Sequence, residues 1–210
     1  MKDYQIREAF HRKALQEHHN SSTTLVIDEL GLEHGTSRAD IAVINEQLIG
    51  YEIKSNVDTL NRLSSQIISY NAIFDWSILI VTRRHLDEAI RLIPEWWGVI
   101  LAEEIDHNDI DFKQLRPSIA NKNTNSYSIA QLLWRDEAQD ILAKMGIRGA
   151  QLRKRRALLY EDIINLLTPL DLRLTVSEYL KKRQGWRDHA LPFLNDDLSP
   201  RPEIETDFLV

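Results

Sequence analysis

The 210-residue chain contains no cysteine. Disulfides and thiolate metal sites are therefore excluded, and the composition fits a reducing cytoplasm. No apolar run approaches the ~20 residues a membrane helix needs. Met1 to Leu15 mixes charges with apolar residues and lacks the apolar stretch of a signal peptide. A soluble cytoplasmic protein with no membrane contact is expected. No GxxxxGK phosphate loop is present, which argues against nucleoside triphosphate as a partner. No G-x-S-x-G nucleophile elbow appears, and the seven histidines show no H-x-x-x-H ligand spacing. Nor is there an internal repeat.

What is present is an ordinary globular balance, with 43% hydrophobic and 28% charged residues. The net charge of −6 argues against a wholly basic nucleic-acid binder. It leaves room for a local basic patch, because steering depends on where charge sits.

IREAFHRKAL carries Ile6, Phe10 and Ala14 at helical spacing. TLVIDELGL, ADIAVIN and LIGYEIKS read as three strands. DTLNRLSSQIISYNAIF reads as a helix on Leu60, Leu63, Ile67 and Phe74, with Asp58 as its expected N-cap. WSILIV is a continuous apolar strand. RRHLDEAIRLI is a helix stopped by Pro94, and WWGVILAEE a further strand. Residues 1–117 thus predict an α/β domain in the order α-β-β-β-α-β-α-β around a central mixed sheet. Residues 118–126 are polar and turn-rich and read as a linker. Three helices are expected over 127–190, and an extended or disordered tail over 191–210.

RADIAVINEQLIGYEIKS, residues 38–55, places Asp40, Glu52 and Lys54 inside otherwise apolar runs. Glu52 and Lys54 are two apart on one strand and share a face. Asp40 begins the preceding strand, joined by a short turn, so the two carboxylates can approach each other. Neighbouring carboxylates repel, and one tends to keep a proton. A hard divalent cation removes that conflict, and Mg²⁺ prefers oxygen ligands. Such an ion activates water and stabilises charge developing on a phosphate. The lysine could orient that water. The competing reading is a solvated strand face with a Glu52–Lys54 ion pair.

With Asp at the start of one strand and E-x-K on the next, the chain resembles the PD-(D/E)XK nuclease superfamily. Ala39 stands where proline is common in that motif. Gln66 and Tyr70 form the Q-x-x-x-Y helical motif of the RecB-like subgroup, on one helical face with Arg62. The wider pattern looks like a little-characterised bacterial family of predicted nucleases, over roughly residues 5–105. The resemblance implies a restriction-endonuclease-like αβββαβ core and Mg²⁺-dependent hydrolysis of DNA, with Mn²⁺ as a substitute. Asp40 and Glu52 would bind metal, Lys54 would position water, and Gln66 and Tyr70 would support the site. A homodimer is the assembly it suggests, since two strands take two sites. RNA stays open as a substrate, as does a non-catalytic nucleic-acid-binding or protein-assembly module on the same fold.

Glu29 is the candidate for an additional metal ligand, with Glu8 and Glu17 as alternatives. Arg38 could meet phosphate or pair with Glu29. GIRGAQLRKRR gathers Arg148, Arg153, Lys154, Arg155 and Arg156 without an acid, an electrostatic footprint for a phosphate backbone or a solvated helix start. KKRQGWR, residues 181–187, is a second basic stretch with an aromatic. Trp96 and Trp97 read as packing residues more readily than as a base-stacking platform.

Overall fold

The computed structural model describes residues 1–106 and 109–183. Helices α1 (Asp3–Lys13) and α2 (Gln16–Asn20) lead into strands β1 (Leu25–Leu32), β2 (Ser37–Ile44) and β3 (Leu48–Lys54). Then come α3 (Leu63–Ile73), β4 (Trp76–Thr82), α4 (Leu86–Leu92), β5 (Gly98–Asp106) and β6 (Asp109–Arg116). Helices α5 (Ser126–Ala130), α6 (Arg135–Lys144), α7 (Arg156–Leu166) and α8 (Pro169–Lys182) close the described chain.

The six strands lie side by side in sequence order. β1, β2 and β3 form an antiparallel meander, β3–β4 and β4–β5 are parallel, and β5–β6 is antiparallel. Parallel neighbours need crossovers, which α3 and α4 supply. The result is an α/β architecture on a mixed sheet. No described helix is long and apolar enough to cross a membrane.

Side-chain alternation divides the interior into two layers. Ile41, Val43, Tyr51 and Ile53 pack with Ile6, Ala9 and Phe10 of α1. Ala42, Ile44, Leu48, Leu79 and Val81 pack on the opposite face with Leu63, Ile67 and Tyr70 of α3. Ile129, Leu142, Tyr160, Ile163 and Val176 of α5–α8 belong to that same second layer. The C-terminal helices thus build one core with the sheet. Arg173 Nη1 meets Asp75 Oδ1 at 3.1 Å, and Lys181 Nζ donates to Asn45 O at 3.1 Å. Asn121 and Asn125, in the stretch read as a linker, bond through their N–H groups to Asp75 O and Ala72 O.

Three local features differ from the sequence reading. β6 is an additional strand; its only buried residue is Ile110, so its polar edge pattern hid it. The third helix starts at Leu63, because the Asp58 carboxylate instead takes the Ser55 N–H (2.7 Å) and the Ser55 hydroxyl (2.5 Å). IAQLLWRDEAQDILAKMG breaks into α5 and α6, since Trp134 is extended and its N–H bonds the Glu137 carboxylate at 2.7 Å. Part of the basic stretch 181–187, the end of the region 127–190 and the tail 191–210 lie outside the described residues.

Candidate active site

β2 and β3 pair from Ile44↔Leu48 to Ile41↔Tyr51. Asp40 and Glu52 are the next residues in that register, where direct backbone pairing stops. The Tyr70 hydroxyl lies between the strands there, donating to Tyr51 O (2.9 Å) and accepting from Asp40 N (3.3 Å). Asp40 Oδ2 takes the Ile53 N–H at 2.6 Å. Two side chains therefore satisfy backbone groups that a continuous ladder would have paired, and the strands part between the two carboxylates.

Glu52 shares its face with Leu48 and Gly50, the face covered by α3. Gly50 is needed for that cover, because a Cβ there would come within 2.6 Å of the Phe74 ring. Glu52 is 0% exposed and Lys54 5% exposed, so neither faces water. Lys54 Nζ donates to Glu52 Oε1 (2.5 Å) and to Gln66 Oε1 (3.0 Å). Gln66 and Tyr70, one turn apart on α3, thus engage both sides of the motif.

The electrostatics of this corner are unresolved within the chain. Among the described residues, Glu52 Oε2 is buried and makes no well-formed hydrogen bond, although the Tyr70 hydroxyl and Gln66 lie close enough to oppose the rise of the Glu52 pKa. Burial pushes the Glu52 carboxyl pKa up, with Lys54 opposing the shift. Burial and then the Glu52 charge push Asp40 well above the usual carboxylate range. Burial, followed by the two carboxylates, pushes the Tyr70 phenol well up. Each shift reports that the negatively charged form is disfavoured where solvent is poor.

A third acid completes the row. β1 pairs Asp28↔Ile41 and Leu30↔Ala39, so Glu29 stands opposite Asp40. Its φ of 55° lies in the left-handed region, uncommon for a residue with a Cβ. Its carboxylate meets Arg7 Nη2 at 2.5 Å and Arg38 Nε at 3.1 Å. Arg7, whose side chain is 11% exposed, also reaches Asp3 (2.9 Å), Asp40 O (3.1 Å) and Asp40 Oδ1 (3.9 Å). The sequence reading missed Arg7 and Asp3; their i,i+4 spacing on α1 was the available signal.

Asp40 opens into a cleft of about 560 Å³, flanked by Arg38 and Arg62 and also lined by Glu29 and Gln66. Arg153, Arg155 and Arg156 are exposed on the helical region and do not line this cleft, and Lys154 is paired to Asp162 at 2.6 Å. Glu8 lines a separate depression with Tyr4 and Arg12, and Glu17 is exposed on α2. Trp97 is buried, its indole N–H bonded to Asn71 at 2.9 Å and its ring against Tyr70, which makes it a packing residue.

Among the described residues, no group of three or more carboxylates or imidazoles converges closely enough to hold a metal. Two do fit one. Among the described residues, Glu52 Oε2 is a buried acceptor without a well-formed hydrogen bond, and Asp40 Oδ1 meets a guanidinium only at 3.9 Å. A divalent cation would supply the positive charge that both pKa shifts call for.

The family model described as bacteriophage P4 protein cII matches residues 3–200. The chain belongs to that family. Protein cII of Enterobacteria phage P4 itself is 25% identical over 126 residues, covering 60% of this chain and 47% of the phage protein. The chain therefore spans about half the length of that curated relative. A Silicibacter pomeroyi protein of unknown function overlays with a TM-score of 0.40 at 15% identity, over 68% of this chain and 92% of that one.

Proposed function

We propose that the protein is a metal-dependent nuclease that hydrolyses phosphodiester bonds of DNA. The observation that carries this reading is the buried Glu52, one oxygen held by Lys54 and the other without a well-formed hydrogen bond among the described residues, across from Asp40 at a parted strand pair. A buried carboxylate oxygen without a well-formed hydrogen bond is costly unless a further group meets it, and a cation between Glu52 and Asp40 would be that group. The motif resemblance to PD-(D/E)XK nucleases supports the same reading.

Asp40 and Glu52 would hold Mg²⁺, or Mn²⁺ in its place. The ion would supply stabilisation of charge on the scissile phosphate and activation of water. Lys54 is fixed between Glu52 and Gln66; with the metal and substrate bound, its ammonium would orient a nucleophilic water and offset charge on the attacked phosphate. Tyr70 keeps the strands parted at the reacting corner. Arg38 and Arg62 border the cleft where the phosphate would lie, and the Arg62 guanidinium has no hydrogen-bond or ion-pair partner among the described residues. Arg7 holds Glu29 and Asp40 in place from behind.

The test is cleavage of plasmid and single-stranded DNA with Mg²⁺, Mn²⁺ or EDTA, comparing wild type with Glu52→Ala. Metal-dependent cleavage lost in the variant is expected. Cleavage retained in a clean Glu52→Ala preparation, or none by a folded wild type, would refute the assignment.

A further inference from the structure

Cations on the C-terminal helices divide into two groups. Lys154 is neutralised by Asp162, Arg183 by Glu137 at 2.6 Å, and Lys144 by Asp140 at 2.6 Å. Arg148 turns back onto the carbonyls of Ala143 and Ile147. In contrast, Arg135, Arg153, Arg155 and Arg156 are exposed, and none has a carboxylate partner among the described residues. They are neighbours in space. Arg135 Nη2 donates to Lys154 O at 3.4 Å, and Gln139 Nε2 donates to Leu152 O at 2.6 Å, holding the 149–153 turn on α6. Arg135 is absent from the basic stretch visible in the sequence and joins it only through the fold.

Arg156 brings one end of this cluster toward the cleft. The turn Glu33–Gly35 supplies part of the cleft lining. His34 of that turn stacks on Tyr160 of α7, ring centroids 5.8 Å apart, and contacts Gln131 at 3.4 Å. Arg156 lies one helical turn before Tyr160 on the same face of α7. Burial, followed by the Arg156 charge, depresses the His34 pKa, as expected for groups in one neighbourhood.

We infer that the helical region carries a second contact surface for the phosphate backbone of nucleic acid, formed by Arg135, Arg153, Arg155 and Arg156 and reaching the cleft past His34. The inference rests on the nuclease reading for the identity of the polyanion. Guanidinium groups free of carboxylates suit bidentate contact with phosphate. On a protein of net charge −6, this surface attracts a strand that the rest of the molecule repels. A strand whose scissile phosphate sits by Asp40 would have further phosphates left over to reach it.

The experiment measures affinity for labelled single- and double-stranded DNA oligonucleotides in EDTA over a salt series. Wild type is compared with R153Q/R155Q/R156Q, the corresponding triple lysine variant, and R135Q. Each lost phosphate contact lowers the slope of log affinity against log salt by about 0.9 on duplex DNA, so the triple glutamine variant should lose up to about 2.7. Thermal melting checks that these exposed substitutions leave the fold intact, and the lysine variant should keep most of the slope. Wild-type affinity and slope in the glutamine variant would overturn the surface. So would a wild type that binds no DNA, or glutamine and lysine variants equally weakened. Binding in EDTA is read whether or not the protein cleaves, so failure here is distinct from failure of the nuclease reading.

Discussion

Lys54→Met tests the buried pair at the centre of the site. In the wild type, the Lys54 ammonium is the group that directly bonds the Glu52 carboxylate at 2.5 Å, and Glu52 is fully buried. Removing one partner of a buried pair costs about 3–5 kcal/mol, because the remaining charge has no compensation. Folded domains have about 5–15 kcal/mol in total, so the loss is a large fraction. It should also depend on pH. The folded-state pKa of Glu52 is already above its ordinary value, with Lys54 opposing the rise. Without Lys54 it climbs further. The folded variant then holds a proton that the unfolded chain releases, so stability falls as pH rises from the ordinary carboxylate value through the raised one. Acidification protonates Glu52 and restores much of the loss. Urea unfolding in EDTA across an acid-to-neutral pH series measures this. The double variant Glu52→Gln/Lys54→Met carries no charge at the pair and should be more stable than Lys54→Met at neutral pH. A single variant as stable as wild type, or single and double variants equally destabilised at every pH, would refute the reasoning.

Other perturbations follow from the same contacts. Tyr70→Phe deprives Asp40 N–H and Tyr51 C=O of a partner and should cost about 1–3 kcal/mol in urea unfolding, with weaker Mg²⁺ binding by calorimetry. Arg7→Gln removes the charge that Asp3, Glu29 and Asp40 share, so the metal-free protein should melt lower, and added Mg²⁺ should raise Tm by more than in wild type. Gly50→Ala drives a methyl to within 2.6 Å of the buried Phe74 ring and should destabilise by about 1–3 kcal/mol, read by thermal melting.

The strands and the helix that carry the site were legible because their signals are local. Period-two alternation puts Glu52 and Lys54 on one face of β3, and four-residue spacing puts Gln66 and Tyr70 on one face of α3. That those two faces meet is a property of the β3–α3–β4 crossover. The i,i+4 spacing of Asp3 and Arg7 was legible as a helix pair, but the place of Arg7 at the site was not, since an arginine on the first helix reaches Glu29 and Asp40 only when α1 packs beneath β1 and β2. The left-handed backbone of Glu29 has no sequence signal at all, for nothing about glutamate favours φ of 55°. Asp58 shows a local preference outcompeted: its carboxylate caps the Ser55 turn and leaves α3 to begin five residues later. β6 escaped because charged edge positions break the apolar alternation that marks a strand.

In the proposed site, Asp40 and Glu52 share a divalent cation. A crystal soaked in Mn²⁺, with diffraction recorded at the manganese absorption edge, tests it directly. An anomalous peak in contact with an Asp40 carboxylate oxygen and with Glu52 Oε2, lost in Glu52→Gln, is expected. No peak at saturating Mn²⁺, with the Lys54–Glu52 pair unchanged, would contradict it.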